Sequence, residues 1–132
     1  MPLERLTPEG LFKPAGYNQV VTATGRRLVF ISGQVAMDAE GKLVAQDDFA
    51  GQARQVFANL RTALRGAGAT PADVTKLTIY VVGYTAELRA VLADARAAVF
   101  RAAELPASTL VGVQALAVPG YLLEVEAIAV VN

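Results

Sequence analysis

The stretch Tyr121-Leu122-Leu123-Glu124-Val125-Glu126-Ala127-Ile128-Ala129-Val130 reads as a β-strand that is almost wholly apolar yet carries two carboxylates. Side chains alternate across a strand, so Glu124 and Glu126 share one face, and Leu123, Val125 and Ala127 share the other. On its own the pattern fits a half-solvated antiparallel strand whose acids face water. The sharper alternative is an acid that lines a pocket, where burial and a positioned water make it useful. The segments upstream bear on that choice.

Directly before this strand, Val118-Pro119-Gly120 reads as a turn and Ser108–Leu116 as another strand. Leu88, Val91, Leu92, Ala95 and Val99 recur at helical spacing, with Thr85 as a candidate cap and Leu105-Pro106 as the stop. The small residues Ala90, Ala93, Ala97 and Ala98 allow that helix to pack closely. The β-branched run Val74–Val82 reads as a central strand. Phe49, Ala53, Val56, Phe57, Leu60 and Leu64 form the stripe of another helix, capped by Asp47 or Asp48 and ended by Gly66 and Gly68. Leu28–Val35 is apolar on both faces, which predicts a central strand. Leu43-Val44 reads as a short edge strand. Asn18–Ala23 reads as a first strand, joined to Leu28–Val35 by a tight turn, Thr24-Gly25-Arg26-Arg27, in a predicted hairpin. Residues 1–16, with Pro2, Pro8, Pro14, Gly10 and Gly16, read as a turn-rich lead-in.

The order is strand, strand, helix, strand, helix, strand, strand. It predicts an α+β fold: one mixed β-sheet with two helices on one face. Two helices cover only one face of a sheet. The other face also carries Val, Leu and Ile, and packing of several copies together would bury it.

Composition narrows the chemistry. The chain has 132 residues, a single-domain length, so residues 1–132 are read as one domain. At 54% hydrophobic and 18% charged, it can build a core and has apolar surface left over for interfaces between subunits. Twelve basic residues balance twelve acidic ones, which leaves no electrostatic footprint for nucleic acid. There is no cysteine and no histidine. That excludes thiolate nucleophiles, Ser-His triads, a histidine base and most transition-metal sites. Asp47-Asp48 has no further ligand nearby and is read as a helix cap, so no metal is expected. No leader pattern and no run of about eighteen apolar residues occurs, so a cytoplasmic protein off the membrane is expected.

Several segments, taken in order, resemble one family. They are Gly16-Tyr17-Asn18-Gln19, Phe30-Ile31-Ser32-Gly33-Gln34-Val35, the helix Phe49–Leu60, Lys76-Leu77-Thr78-Ile79-Tyr80-Val81, Leu105-Pro106-Ala107-Ser108-Thr109 and Glu124-Val125-Glu126-Ala127-Ile128-Ala129. The set is similar to the Rid (YjgF-type) family, also labelled endoribonuclease L-PSP, over nearly the whole chain. The resemblance implies a chorismate-mutase-like fold and a homotrimer with three small-molecule pockets at subunit interfaces. It also implies hydrolysis of reactive imines and enamines, a deamination that needs no cofactor.

By the same resemblance, Glu124 is the acid that positions the attacking water, and Glu126 is a structural partner. Ser32 and Gly33 line the pocket, and Tyr17 covers its edge. An arginine that clamps the substrate carboxylate is replaced here by Ser108, with Thr109 beside it. A polar helix position becomes Ala93. The loss of the arginine marks a branch without the usual clamp. Exchanging a guanidinium fork for a hydroxyl costs about 1–3 kcal/mol, roughly ten- to a hundredfold in binding, unless another group compensates. Arg26, Arg27 and Arg101 are candidate replacement cations by position, but their hairpin-turn and helix-end settings assign none of them to the site.

Three functions follow as expectations. The first is cofactor-free hydrolysis of imines or enamines with Glu124 on the water. The second is a non-catalytic trimer that binds a small molecule. The third is an endoribonuclease or translation inhibitor. Neutral charge and absent histidine give the third little support.

Overall fold

A computed structural model describes residues 3–132. Eight elements follow in order. They are β1 (Leu3–Leu6), β2 (Val20–Ala23), β3 (Arg27–Gln34), α1 (Phe49–Gly66), β4 (Val74–Val82), α2 (Leu88–Ala97), β5 (Ala107–Val113) and β6 (Leu123–Val131). Four strands form a mixed sheet in the order β3-β6-β4-β5. β6 runs antiparallel to both β3 and β4, whereas β4 and β5 run parallel. The parallel pair is joined through α2, as parallel strands require a crossover.

The alternation in the last strand decides how the layers stack. Leu123, Val125, Ala127 and Ala129 are buried, together with Leu77, Ile79 and Val81 of β4 and Val29 and Ile31 of β3. Against them lies the predicted α1 stripe, with Ala53, Val56, Phe57, Leu60 and Leu64 all buried. Phe57 also meets Phe100 edge-on at 6.5 Å between ring centroids. Asp48 caps α1 by accepting from the Gly51 N–H at 3.0 Å.

The opposite face stays open. Leu28 is 64% exposed and Phe30 71%. Phe30 pairs with Ile128 across the ladder, so these apolar groups stand together on one surface.

Five local expectations change. Residues 1 and 2 of the lead-in lie outside the described residues, but Leu3–Leu6 is a strand that pairs antiparallel with β2. The predicted β2–β3 hairpin is therefore replaced by a separate two-stranded sheet. After the turn, the Arg26 N–H bonds the Val131 carbonyl and directs β3 onto β6. β3 is an edge strand rather than a central one. Its two apolar faces reflect the open sheet face, not flanking strands. Leu43 makes one isolated bridge to Met37 instead of a strand. Finally, α2 begins at Leu88 without a side-chain cap. Thr85 instead hydrogen-bonds Glu87, which holds that carboxyl below its ordinary value.

One buried polar side chain fixes the approach to β6. Gln52 is fully buried on α1. Its Nε2 donates to the carbonyls of Gly120, at 2.9 Å, and Ala45, at 3.3 Å. Its Oε1 accepts from the Leu122 N–H at 2.9 Å. Gln52→Leu removes all three bonds and leaves the Leu122 N–H and the Ala45 and Gly120 carbonyls without this partner. We expect a loss of about 2–4 kcal/mol. The urea midpoint should fall with the slope unchanged. An unaltered midpoint would show that water replaces the amide without cost.

Candidate functional site

The expected site residues fall into two groups on opposite faces of the sheet. The first is the open face. Between Ile31 and Gln34 the β3–β6 register slips, which inserts an extra residue at Ser32-Gly33. Such a bulge re-aims the strand beside it. It brings the Gly33 backbone against the Glu124 carboxylate so closely that a Cβ at Gly33 would overlap Oε2 and sit 2.5 Å from the carboxyl carbon. Glycine is needed here for that approach. Ser32 is exposed beside it.

Glu124 pairs with Tyr80 of β4, and Glu126 with Thr78. The Tyr80 phenol is held above its ordinary value, first by desolvation and then by Glu126, with which it hydrogen-bonds, and by Glu124. It therefore stays protonated as a donor. Thr109 also lies on this face, where its Oγ1 meets Lys76 Nζ at 2.7 Å.

The second group lies on the helix face, at the β5 edge. Ser108 pairs with Leu77, whose side chain is buried under the helices, so Ser108 and Thr109 point to opposite sides. Ser108 lines a groove of ≈ 990 Å³ with Tyr17, Leu110, Ala93, Arg89 and Arg96 among its walls.

The segment carrying Tyr17 is tied to this edge by its neighbour. Asn18 Nδ2 donates to the Leu105 carbonyl at 2.7 Å, and its N–H donates to Pro106 O at 3.0 Å. Asn18 also bridges to Ala107, directly before Ser108. Gln19 then braces the loop through Phe12 O at 2.9 Å. Tyr17 thereby forms one wall of the groove across from α2.

The structure thus brings Tyr17 to Ser108, and Ser32-Gly33 to Glu124, but it does not bring the two groups to one pocket within a single chain. It also adds residues the sequence reading passed over. Arg89, Ala93 and Arg96 lie at i, i+4 and i+7 on α2 and share one face. The Arg96 guanidinium packs against Gly16, where a Cβ would sit 2.8 Å from Nη2. Burial holds Arg96 below its ordinary value. The spacing of these two arginines around Ala93 was the available signal.

Comparison with known proteins agrees with this architecture. Residues 11–131 match the family described as Endoribonuclease L-PSP. A RutC family protein of Pyrococcus horikoshii is 32% identical over 124 residues, covering 86% of this chain and 96% of that one. The crystal structure of YyfB from Yersinia pestis, a protein of unknown function of the conserved Rid family, is 40% identical. It superposes with a TM-score of 0.93 over 99% of this chain and 100% of that one. RidA from an Antarctic Psychrobacter is 30% identical with a TM-score of 0.70, over 96% and 98% of the two chains. With the mixed sheet, the helix layer and the ordered segments in agreement, the chain belongs to the Rid family, the Endoribonuclease L-PSP family of the sequence match.

Proposed function

We propose that this protein hydrolyses small imines or enamines, without a cofactor, in pockets completed between the subunits of a homotrimer. The observation that carries the reading is the seating of the Glu124 carboxylate on the bulged Gly33 backbone. A carboxylate so placed can orient a water and take its proton. Water oxygen bonds to the imine carbon while the π electrons move to nitrogen. The resulting carbinolamine nitrogen takes a proton back from Glu124. Glu124 then takes the hydroxyl proton and delivers it to the nitrogen as the C–N bond breaks, so that ammonia leaves and an oxygen electron pair closes the carbonyl.

Sidedness supports the composite pocket. Glu124 stands on the open sheet face, whereas Tyr17 and Ser108 stand on the helix face at the β5 edge. A neighbouring copy that covers the open face with its β5 edge would unite the two groups. The exposed Leu28, Phe30 and Ile128 supply the apolar area for such packing. No helix among the described residues is long and apolar enough to cross a membrane.

Ser108 in place of a cation favours a second reading, a trimer that binds a small molecule without turnover. One assay separates the two. 2-Iminopropionate, generated in situ, should release its keto acid faster with wild-type protein than in buffer alone. A panel of imines released at the buffer rate, with a ligand that raises thermal stability and is recovered unaltered, would leave only the binding reading.

A further inference from the structure

Among the described residues, the groove at the β5 edge is lined by two cations, Arg89 and Arg96, and by no acidic residue. Ser108, on β5, contributes a neutral hydroxyl to the same groove. Arg96 is half-buried, yet among the described residues its guanidinium has neither a hydrogen-bonded acceptor nor an ion pair. Its nitrogens are not sealed from solvent, so Arg96 presents an unneutralised, partly desolvated cation to the groove.

Arg96 sits in the last turn of α2, where a positive charge favours the helix C-terminus. A fully solvated side chain would serve that purpose equally well. The burial against Gly16 therefore calls for another explanation.

We infer that Arg96, reaching from α2, is the carboxylate anchor of this groove, with Arg89 at its mouth and the Ser108 hydroxyl as a neutral second donor. The ligand is a small monocarboxylate, and its apolar end lies over Ala93 and Leu110. The geometry suits this class. A guanidinium offers a carboxylate two parallel charge-assisted bonds, which a hydroxyl cannot. Ala93, between the two arginines on the helix face, leaves room above the groove floor. Tyr17, 37% exposed, is placed to cover the bound molecule. The positive charge of the groove thus comes from the helix rather than from β5. The inference rests on the reading of this groove as one half of the ligand pocket.

The test compares 2-ketobutyrate with its uncharged amide, 2-oxobutanamide, by calorimetric titration. Wild type should bind the acid at least tenfold more tightly than the amide. Arg96→Gln should weaken acid binding ten- to a hundredfold and leave amide binding unchanged. Arg96→Lys should recover part of the preference. A merely structural role would weaken both ligands together, or neither. Equal acid affinity in wild type and Arg96→Gln overturns the inference, as does a wild type with no preference for the acid. Keto-acid release from 2-iminopropionate is measured on the same preparations. If turnover is absent while the acid preference still depends on Arg96, the hydrolysis reading fails and the anchor stands.

Discussion

Gly33→Ala is expected to lower imine turnover about a hundredfold, close to the loss from Glu124→Gln, while leaving the fold intact. General acid–base groups contribute on the order of 10²–10⁴ to rate, and both changes act on the same carboxylate. Glu124→Gln removes the charge in place. Gly33→Ala keeps it but moves it, because the new methyl would occupy the space of Oε2. The displaced atoms, Cγ at 2.7 Å among them, all belong to the Glu124 side chain rather than to backbone, so Glu124 can turn away about its first side-chain bond. The two variants should therefore resemble each other in kcat and differ little from wild type in unfolding midpoint. The double variant gives the sharper reading. If Gly33 acts only through Glu124, adding Gly33→Ala to Glu124→Gln should cost nothing further. Turnover in Gly33→Ala within threefold of wild type would separate the carboxylate position from the chemistry.

The close approach behind that prediction was only half legible in the sequence. Ser32-Gly33 and Glu124 were each visible as candidate residues. Their contact depends on a register slip between β3 and β6, and no local pattern encodes which rung carries the extra residue. The elements with strong periodicity were readable: α1, β4 and the alternation of β6 all follow from the spacing of apolar positions. The pairing partners were less so. β2 lies next to β3 in sequence, but it pairs with Leu3–Leu6 in a segment whose prolines and glycines read as turns.

Arg96 shows a different limit. Arg26, Arg27 and Arg101, near turns and helix ends, are the replacement cations that sequence position offers. What brings Arg96 and Ser108 to one groove is the fold of α2 and β5 on the same side of the sheet, together with the bond from Asn18 to Leu105 that closes the groove's other wall across 87 residues of sequence. An amphipathic reading of α2 counts its buried stripe, Leu92 and Ala95 among it, and treats the remaining face as solvated. Here that face is a wall of the groove. The apolar reading of β3 erred in a related way. It placed the strand between neighbours, because a strand apolar on both faces needs cover on both. The cover for one face comes from α1, and nothing among the described residues covers Leu28 and Phe30.

That uncovered face leads to the second large effect. On the homotrimer proposed above, Phe30→Asp is expected to convert an assembly of three 13.8 kDa chains into single chains of 13.8 kDa by light scattering. In one chain Phe30 is 71% exposed, so replacing it there removes little packing and buries no charge. In a trimer that closes over this face, three copies of the substitution would place a carboxylate in an apolar contact. Each copy would forfeit about 1.5–3 kcal/mol of Phe burial. Each would add the penalty for an unpaired charge, which exceeds the burial term. The nearest acids would aggravate it, since Glu126 and Glu124 already stand on the same surface. The variant should therefore keep its helical and strand content, lose its oligomeric mass and lose imine turnover, because the Glu124 half of the pocket would no longer meet the Tyr17 and Ser108 half. Retained trimer mass in Phe30→Asp would show that the open face is not the interface. Monomeric protein with full turnover would overturn the composite pocket while leaving the Glu124 chemistry in place.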